Sequence, residues 1–151
     1  ILSANYIAHS LKHKFKILYK GKNDFVAHEC ILDFRDLRSK TGLSVNDLAK
    51  RLIDYSFHAP TISWPVPETI MIEPTESESL AELDRFCEAM LLIGDEINEI
   101  EANIELQNNN VISNSPHTIQ ELISDNWNYP YSKEKASYPY KSQSISKRIW
   151  R

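Results

Sequence analysis

The sequence predicts an α+β fold, a small antiparallel or mixed sheet with helices on one face. Residues 44–54 and 80–104 both show the apolar spacing of amphipathic helices. Short runs rich in apolar and β-branched residues lie before and between them, which is typical of strands. The apolar fraction of 42% and the charged fraction of 25% are those of one globular domain.

The first part of the chain is predicted to hold one helix and two strands. Residues 4–15 carry an apolar helical stripe, residues 17–19 suit a short strand, and residues 21–24 suit a turn. A longer strand is predicted over residues 25–34. In that strand His28 shares a face with apolar residues, which favours a core histidine over a ligand; these neighbours are Val26, Cys30, Leu32 and Phe34.

The helix predicted over residues 44–54 begins with a capping box. Ser44 can accept from the amide of Asp47, and the Asp47 carboxylate can reach back. Pro60 prevents any continuation of this helix. The stripe that should pack on the sheet consists of Val45, Leu48, Ala49, Leu52 and Ile53.

Residues 58–79 form an unusually long and stiff connection between the two strong helices. Two short strands, 61–64 and 69–73, are predicted on either side of a proline-rich corner. The next helix, predicted over 80–104, can be capped by Thr75 with Glu78, or by Ser77. Its apolar stripe contains Leu83, Cys87, Met90, Leu91, Ile97, Ile100 and Ile104.

The regular apolar spacing of the sequence ends after residue 106. Thr118 and Glu121 form a second capping box that opens a short helix. Beyond Trp127, tyrosines, prolines and lysines follow without a period. We therefore expect an α+β small domain at 1–106 and an extended C-terminal arm with short helices at 107–151.

Composition excludes several classes of function. The three glycines are too few for a P-loop or a dinucleotide-binding loop. A net charge of −4 argues against nucleic acid and anionic membrane surfaces as partners. Cys30 and Cys87 form no disulfide framework, so two reduced thiols are expected.

A small set of polar residues are candidates for catalysis or binding. Most of these residues lie in the 58–79 connection. Metal binding by His28, His58, Cys30 and Glu73 is in principle possible, but their spacing matches no metal motif. Glu76 and Glu78 also suit a plain role at a helix start. The candidates are His28, Glu29, His58, Glu73 and Glu76, with the hydroxyls of Thr75, Ser77 and Ser79.

These same segments resemble the C-terminal part of glycine dehydrogenase (decarboxylating), the P-protein of the glycine cleavage system. The resemblance extends over nearly the whole chain, to about Tyr138. Its longest runs are VAHECILD at 26–33, AKRLIDY at 49–55, FHAPT at 57–61, WPVP at 64–67, MIEPTESES at 71–79 and AELDRF at 81–86.

The resemblance implies a part of a pyridoxal-phosphate enzyme of aspartate-aminotransferase-like fold, fold type I. The family decarboxylates glycine and passes the aminomethyl group to the lipoyl arm of H-protein. This chain would be its C-terminal small domain, with the cofactor-binding domains upstream and absent here. The implied parent is a dimer or heterotetramer in the bacterial cytoplasm or the mitochondrial matrix.

No catalytic residue is carried over to this chain. The family's cofactor lysine lies upstream in an Asn-Leu-His-Lys-Thr setting, and the pair His13-Lys14 lacks both neighbours. No cofactor is therefore expected on this chain alone. The residues expected to wall the active site or its channel are His28, His58, Thr61, Glu73 and Glu76.

The sequence departs from the family pattern at three positions. Ser56 and Glu68 stand where the family usually has glycine, and Gly94 stands where a basic residue is usual. An alternative of another class remains open, a small self-sufficient regulatory module that binds amino acids. Calorimetric titration of the chain with glycine and other amino acids separates the two hypotheses.

Overall fold

The computed structural model of the chain describes residues 1–137 and 139–140. Four strands are present: β1 (Lys16–Leu18), β2 (Cys30–Asp33), β3 (Thr61–Ile62) and β4 (Thr69–Ile72). A 3₁₀ turn at Lys22–Asp24 lies in the predicted turn. The helices are α1 (Leu2–Leu11), α2 (Leu37–Thr41), α3 (Val45–Asp54), α4 (Leu80–Glu101), α5 (Ile119–Ile123) and α6 (Lys133–Ser137).

The sheet has the order β1-β2-β4-β3, and every neighbouring pair is antiparallel. Leu32 lies opposite Ile17 on one side and Ile70 on the other, and Cys30 lies opposite Ile72. The predicted α+β class with a small sheet is confirmed, and the sheet is antiparallel rather than mixed.

One face of the sheet packs against the helices. Ile17, Cys30, Leu32, Ile70 and Ile72 project from this face into a single hydrophobic core. Ile31, which points to the other face, is buried but lies outside that core. The helical side chains that complete the core include Ile7, Leu11, Leu48, Leu52, Met90, Ile93 and Ile100.

The prediction of a strand over 25–34 is wrong at its beginning, because β2 starts only at Cys30. The side-chain amide of Asn5 donates to the Val26 carbonyl at 2.8 Å, and its oxygen accepts from the Val26 N–H at 2.9 Å. A helix side chain thus takes both backbone groups of Val26 that a strand partner would use. Tyr19, with φ of +53°, ends β1 before it could supply such a partner.

Helix α4 begins and ends differently from the prediction. Ser79 is its N-cap and accepts from the Glu82 N–H at 3.2 Å, so the predicted caps at Thr75 and Ser77 are wrong. The helix ends at Glu101, and Ile104 beyond it is exposed instead of packed. Among the described residues, no helix is both long and apolar enough to cross a membrane.

Gly94 lies inside α4, where glycine costs about 1 kcal/mol relative to alanine. A Cβ built at this position would come 2.5 Å from Lys14 Cε and 2.9 Å from Phe15 Cζ. The Phe15 ring is part of the core and packs at 5.4 Å from the Phe34 ring. Gly94 therefore provides the clearance that lets the segment after α1 cross α4.

Helix α3 follows the prediction closely. The Asp47 carboxylate accepts from the Ser44 N–H at 2.9 Å and from the Ser44 hydroxyl at 2.8 Å, so the predicted capping box is confirmed. Ile53, placed on the packed stripe, is exposed. Arg51 is fully buried, which the apolar spacing did not reveal.

Arg51 is the centre of a buried ionic network. Its Nε and Nη2 atoms donate to the two oxygens of Glu96 at 3.0 and 2.6 Å, and its Nη1 donates to Asp54 at 3.0 Å. The Tyr55 hydroxyl donates to Glu96 at 3.2 Å. Burial alone would lower the pKa of Arg51, but Glu96 and Asp54 raise it above its ordinary value, so the guanidinium stays charged.

The described part of the C-terminal arm packs onto this network. Arg51 also donates to the carbonyls of Lys135 and Ala136, at 3.1 and 3.4 Å. His117 Nδ1 lies 2.8 Å from Asp54 Oδ2, and His117 Nε2 lies 2.7 Å from the Tyr131 hydroxyl. The end of the predicted arm, residues 138 and 141–151, lies outside the described residues.

Short local elements shape the arm. The Glu121 carboxylate accepts from the Thr118 N–H at 2.8 Å, so the second capping box is confirmed. The hydroxyl and backbone hydrogen bonds from Thr118 lower the pKa of Glu121 to about 2. The rings of Trp127, Tyr129 and Tyr131 surround the His117 ring at centroid distances of 5.6 to 6.1 Å.

Replacing Glu96 with glutamine should strongly destabilise the protein. The substitution keeps the shape of the side chain but leaves buried Arg51 short of charge compensation, which costs about 3–5 kcal/mol when a buried pair is broken. The control is Asp95→Asn at the neighbouring position. Asp95 pairs with Lys14 at 2.8 Å on the surface, and its side chain is 64% exposed, so its loss should cost no more than about 1 kcal/mol. Urea unfolding measures the loss of unfolding free energy in both variants. Equal midpoints for the two variants would refute the importance of the buried pair.

The two thiols should be unreactive in the folded protein. Cys30 and Cys87 are both buried in the core, and burial raises the pKa of Cys30 to about 12 and that of Cys87 to about 11. Because the thiolate is the reactive form, labelling by a maleimide at pH 8 should be slow until urea unfolds the chain. Rapid modification of either cysteine under native conditions would contradict this expectation.

Candidate functional site at one end of the sheet

Three chain segments meet at one end of the sheet because of its strand order. Strand β2 begins at Cys30, which is paired with Ile72 at the end of β4. Strand β3 begins at Thr61, opposite Met71. The residues before β2, before β3 and after β4 therefore lie at the same end. We call residues 25–29, 56–61 and 73–79 the site end; they include His28, His58, Thr61, Glu73 and Glu76.

His28 lies between two carboxylates at this end. Its Nε2 atom is 3.9 Å from Glu29 Oε2 and 4.0 Å from Glu73 Oε1. The His28 and Glu73 side chains are 67% and 61% exposed, so the interpretation of His28 as a core histidine is wrong. These distances exceed a direct hydrogen bond but give each carboxylate a favourable contact with a protonated imidazole.

His58 lies on a loop whose backbone is held by α4. The guanidinium of Arg85 lies 3.7 Å from the centre of the Phe57 ring, and Phe57 packs edge-on against Phe86 at 5.2 Å. Arg85 also donates to the Tyr55 carbonyl at 3.1 Å. These contacts fix the loop on both sides of Ser56, while the His58 side chain remains exposed.

Ser56 and Glu68 both adopt the left-handed backbone conformation, with φ of +63° and +55°. This region favours glycine, the residue that the resemblance implies at these two positions. The Glu68 carboxylate gains a role that glycine lacks, because it accepts from the Val45 N–H at 3.1 Å, in the first turn of α3.

Thr61 and Glu76 complete the predicted set. Thr61 is an exposed residue of the edge strand β3. Glu76 is exposed in the turn between β4 and α4, where the hydroxyls of Thr75 and Ser77 are 3.0 Å apart. The interpretation of Glu76 as a helix-start residue is wrong, since Ser79 caps α4 and Glu82 is the acidic residue of its first turn.

The charge at the site end is acidic. Its segments contain the four glutamates Glu29, Glu73, Glu76 and Glu78 and two histidines, but no lysine or arginine. Nearby Arg85 is engaged by the Glu82 carboxylate through two hydrogen bonds. Such a surface attracts cationic groups such as an ammonium.

The site end does not fit the phosphate of a cofactor by itself. Four carboxylates would repel a phosphate, and the segments offer no lysine for a Schiff base. Lys14 is ion-paired with Asp95 and borders a cavity of about 280 Å³ that also includes Lys16 and Asp33, at the opposite end of the sheet. No described group of three His, Cys, Asp or Glu side chains is arranged to hold a metal ion.

The sequence predicted His28 and Glu73 for the active-site wall, and the structure brings them together; Glu29 was a chemical candidate but was left out of the predicted wall. Strand alternation separates Glu29 from His28, so the contact depends on the end of regular strand structure before Cys30. The supporting role of Arg85 under Phe57 has no signal in the sequence, because the two residues come from distant segments.

Comparison with known proteins shows a consistent match. The family model described as "Glycine dehydrogenase, C-terminal domain" matches residues 1–117. The chain is 58% identical over 139 residues, 92% of its length, to the glycine dehydrogenase (decarboxylating) of Thermosynechococcus vestitus. It is 53% identical over 150 residues, 99% of its length, to the mitochondrial glycine dehydrogenase (decarboxylating) of Dictyostelium discoideum. The chain spans only about 15% of the length of these relatives.

Substitutions at His58 and Glu73 should leave stability nearly unchanged. Both side chains are exposed and make no hydrogen bond among the described residues, so His58→Ala and Glu73→Gln should each change the free energy of unfolding by less than about 0.5 kcal/mol. Asn5→Ala is the positive control at the same end. It removes two hydrogen bonds to Val26 and should cost about 1 kcal/mol or more. A loss at His58 as large as that at Asn5, measured in urea, would assign His58 a structural role.

Proposed function

Because the chain belongs to the glycine dehydrogenase C-terminal domain family, we propose that it is the C-terminal domain of a glycine decarboxylase. The parent enzyme, glycine dehydrogenase (aminomethyl-transferring), decarboxylates glycine on pyridoxal phosphate and transfers the aminomethyl group to lipoyl H-protein. The cofactor supplies the electron sink for decarboxylation. This domain supplies part of the surroundings of the reaction and no covalent group for the cofactor.

The observation that carries the proposal is the convergence of His28, His58, Thr61, Glu73 and Glu76 on one end of the sheet. These side chains are exposed, and apart from the hydroxyl of Thr61 they are carboxylates or imidazoles. They line an open surface, and a catalytic surface of this kind needs an opposing wall to exclude water. We propose that the upstream domains of the same enzyme form that wall.

The residues suit a supporting role in the chemistry. His28, flanked by Glu29 and Glu73 at 3.9 and 4.0 Å, can hold or release a proton at Nε2. The glutamates favour the approach of a cationic amine and oppose the entry of further anions. His58, on a loop fixed by Arg85, can line the path taken by a lipoyl arm.

The wider setting follows from the same proposal. Partners would be the upstream large domains and lipoyl H-protein, in a dimer or heterotetramer. Relatives include bacterial proteins and one named as mitochondrial, so the proposed location is the bacterial cytoplasm or the mitochondrial matrix. The amino-acid-binding regulatory module is not retained, because the family match points elsewhere and the site end is an open surface.

The test is glycine-dependent exchange of carbon dioxide by the full-length enzyme. His58→Ala and Glu73→Gln should each lower the exchange rate at least tenfold, because proton transfer and positioning by side chains contribute at least this much. Glu101→Gln, exposed at the opposite end of α4, is the matched control and should exchange at the parental rate. Parental rates in both site variants would overturn the proposal.

A further inference from the structure

We infer that Tyr140, in the C-terminal arm, is a positioning residue that holds His58 in place at the site end. We call residues 55–58 the His58 loop; they lead from the end of α3 to His58. The inference rests on the proposed function, in which His58 lines the site end. It adds to that function a requirement for the arm, whose residues lie far from His58 in the sequence.

The His58 loop begins at a buried carbonyl that two distant elements hold. Tyr55 is the C-cap of α3, and the last carbonyls of a helix have no partner within the helix. Arg85 of α4 donates to the Tyr55 carbonyl at 3.1 Å, and the Tyr140 hydroxyl donates to it at 3.4 Å. Tyr55 is fully buried, so these protein donors take the place of water.

Tyr140 also packs against the side chain of Tyr55. The two rings meet edge to face, with their centres 5.2 Å apart and their planes at 81°. The Tyr140 side chain is itself buried. Tyr55 is further held by Arg51, which lies 5.1 Å from the centre of its ring, and by Glu96, which accepts from its hydroxyl. Tyr140 therefore contacts Tyr55 at both its ring and its carbonyl.

The His58 loop needs such support because its backbone is strained. Ser56 has a φ of +63°, a conformation that is costly for a residue with a Cβ. A strained conformation persists only where the surrounding structure holds it. Arg85 holds the loop after Ser56, through the Phe57 ring, and shares with Tyr140 the carbonyl before Ser56. Loss of the Tyr140 contacts should let this turn relax and should move the next exposed side chain, His58.

The course of the arm brings Tyr140 to this place. Arg51, in the last turn of α3, donates to the carbonyls of Lys135 and Ala136 in α6. Tyr140 follows the end of α6 by three residues and reaches the C-cap of the same helix. The arm is thus bound both to the last turn of α3 and to the residue after it. It fixes the point at which the chain leaves α3 and enters the site end.

The experiment compares Tyr140→Ala, Tyr140→Phe and a control, Tyr129→Phe, in the full-length enzyme. Phenylalanine at position 140 keeps the ring and removes only the hydroxyl. Tyr129 belongs to the same arm, but its hydroxyl donates to Glu121 at 2.8 Å and not to the His58 loop. The control therefore makes the same chemical change in the arm without touching the Tyr55 carbonyl.

Amide hydrogen exchange reports on the loop directly. The Ser56 N–H donates to the Ile53 carbonyl at 2.8 Å, and the Phe57 N–H donates to the Leu52 carbonyl at 2.9 Å. A peptide that spans residues 55–58, followed by mass spectrometry, should exchange roughly tenfold faster in Tyr140→Ala, because opening of the turn frees both amides. Tyr140→Phe should give a smaller increase, and the control should give none. Parental exchange in Tyr140→Ala would overturn the inference.

Kinetics show whether the loop acts through His58. In glycine-dependent carbon dioxide exchange, Tyr140→Ala should lower kcat roughly fivefold or more and leave the KM for glycine nearly unchanged, because a displaced side chain slows the reaction after binding. In a His58→Ala background the same substitution should lower kcat by less than about twofold, since the group that it positions is already absent. An equal loss of kcat in both backgrounds would assign Tyr140 a merely structural role and refute the inference.

Failure of the proposed function gives a different result. In that case His58→Ala exchanges carbon dioxide at the parental rate. The amides of the His58 loop then decide alone whether Tyr140 holds the loop. Faster exchange in Tyr140→Ala supports the positioning role, and parental exchange removes it.

Discussion

The fold depends on the buried charge of Arg51. Because the guanidinium has no contact with water, protein groups must compensate its charge fully. The guanidinium is completely buried and bonds to Glu96, Asp54 and two main-chain carbonyls of the arm. Desolvating an ion costs several kcal/mol, and only a complete set of partners offsets that cost. Helix α3, helix α4 and the arm therefore have to assemble together. Asp54, a partner of Arg51, also contacts His117, which in turn contacts Tyr131. These contacts couple a further part of the arm to the assembly of α3 and α4.

Periodicity and capping chemistry predicted most of the regular structure. The α3 and α5 capping boxes, the apolar faces of α3 and α4, and the positions of the strands all follow from local residue patterns. The errors arose where a side chain distant in sequence determined the local structure or the burial of a residue. Asn5 occupies the backbone of Val26 and removes half of the predicted strand. Arg51 is buried although its residue type is normally exposed, because its partners come from residues 96 and 135–136.

The candidate site was also predicted only in part, because distant contacts set some of its features. Its residues were chosen by resemblance, and their convergence follows from an antiparallel strand order that local patterns do not encode. The exposure of His28 and its contact with Glu29 depend on where regular strand structure stops. The rigidity of the loop at His58 comes from Arg85, whose role depends on packing across the domain. A single end of the domain thus holds the starts of α1 and α4 and the acidic segments.

The carbonyls that bind Arg51 are separated from it by 84 and 85 residues in the chain. During synthesis on the ribosome, α3 emerges long before these acceptors exist. Until then the newly made domain must keep Arg51 solvated, so the surfaces of α3 and α4 that finally enclose it cannot close completely. Contacts between distant residues form slowly, and a nascent domain with part of its apolar core open is a natural substrate for chaperones. The segment that carries these two carbonyls therefore determines when the domain becomes a finished structural unit.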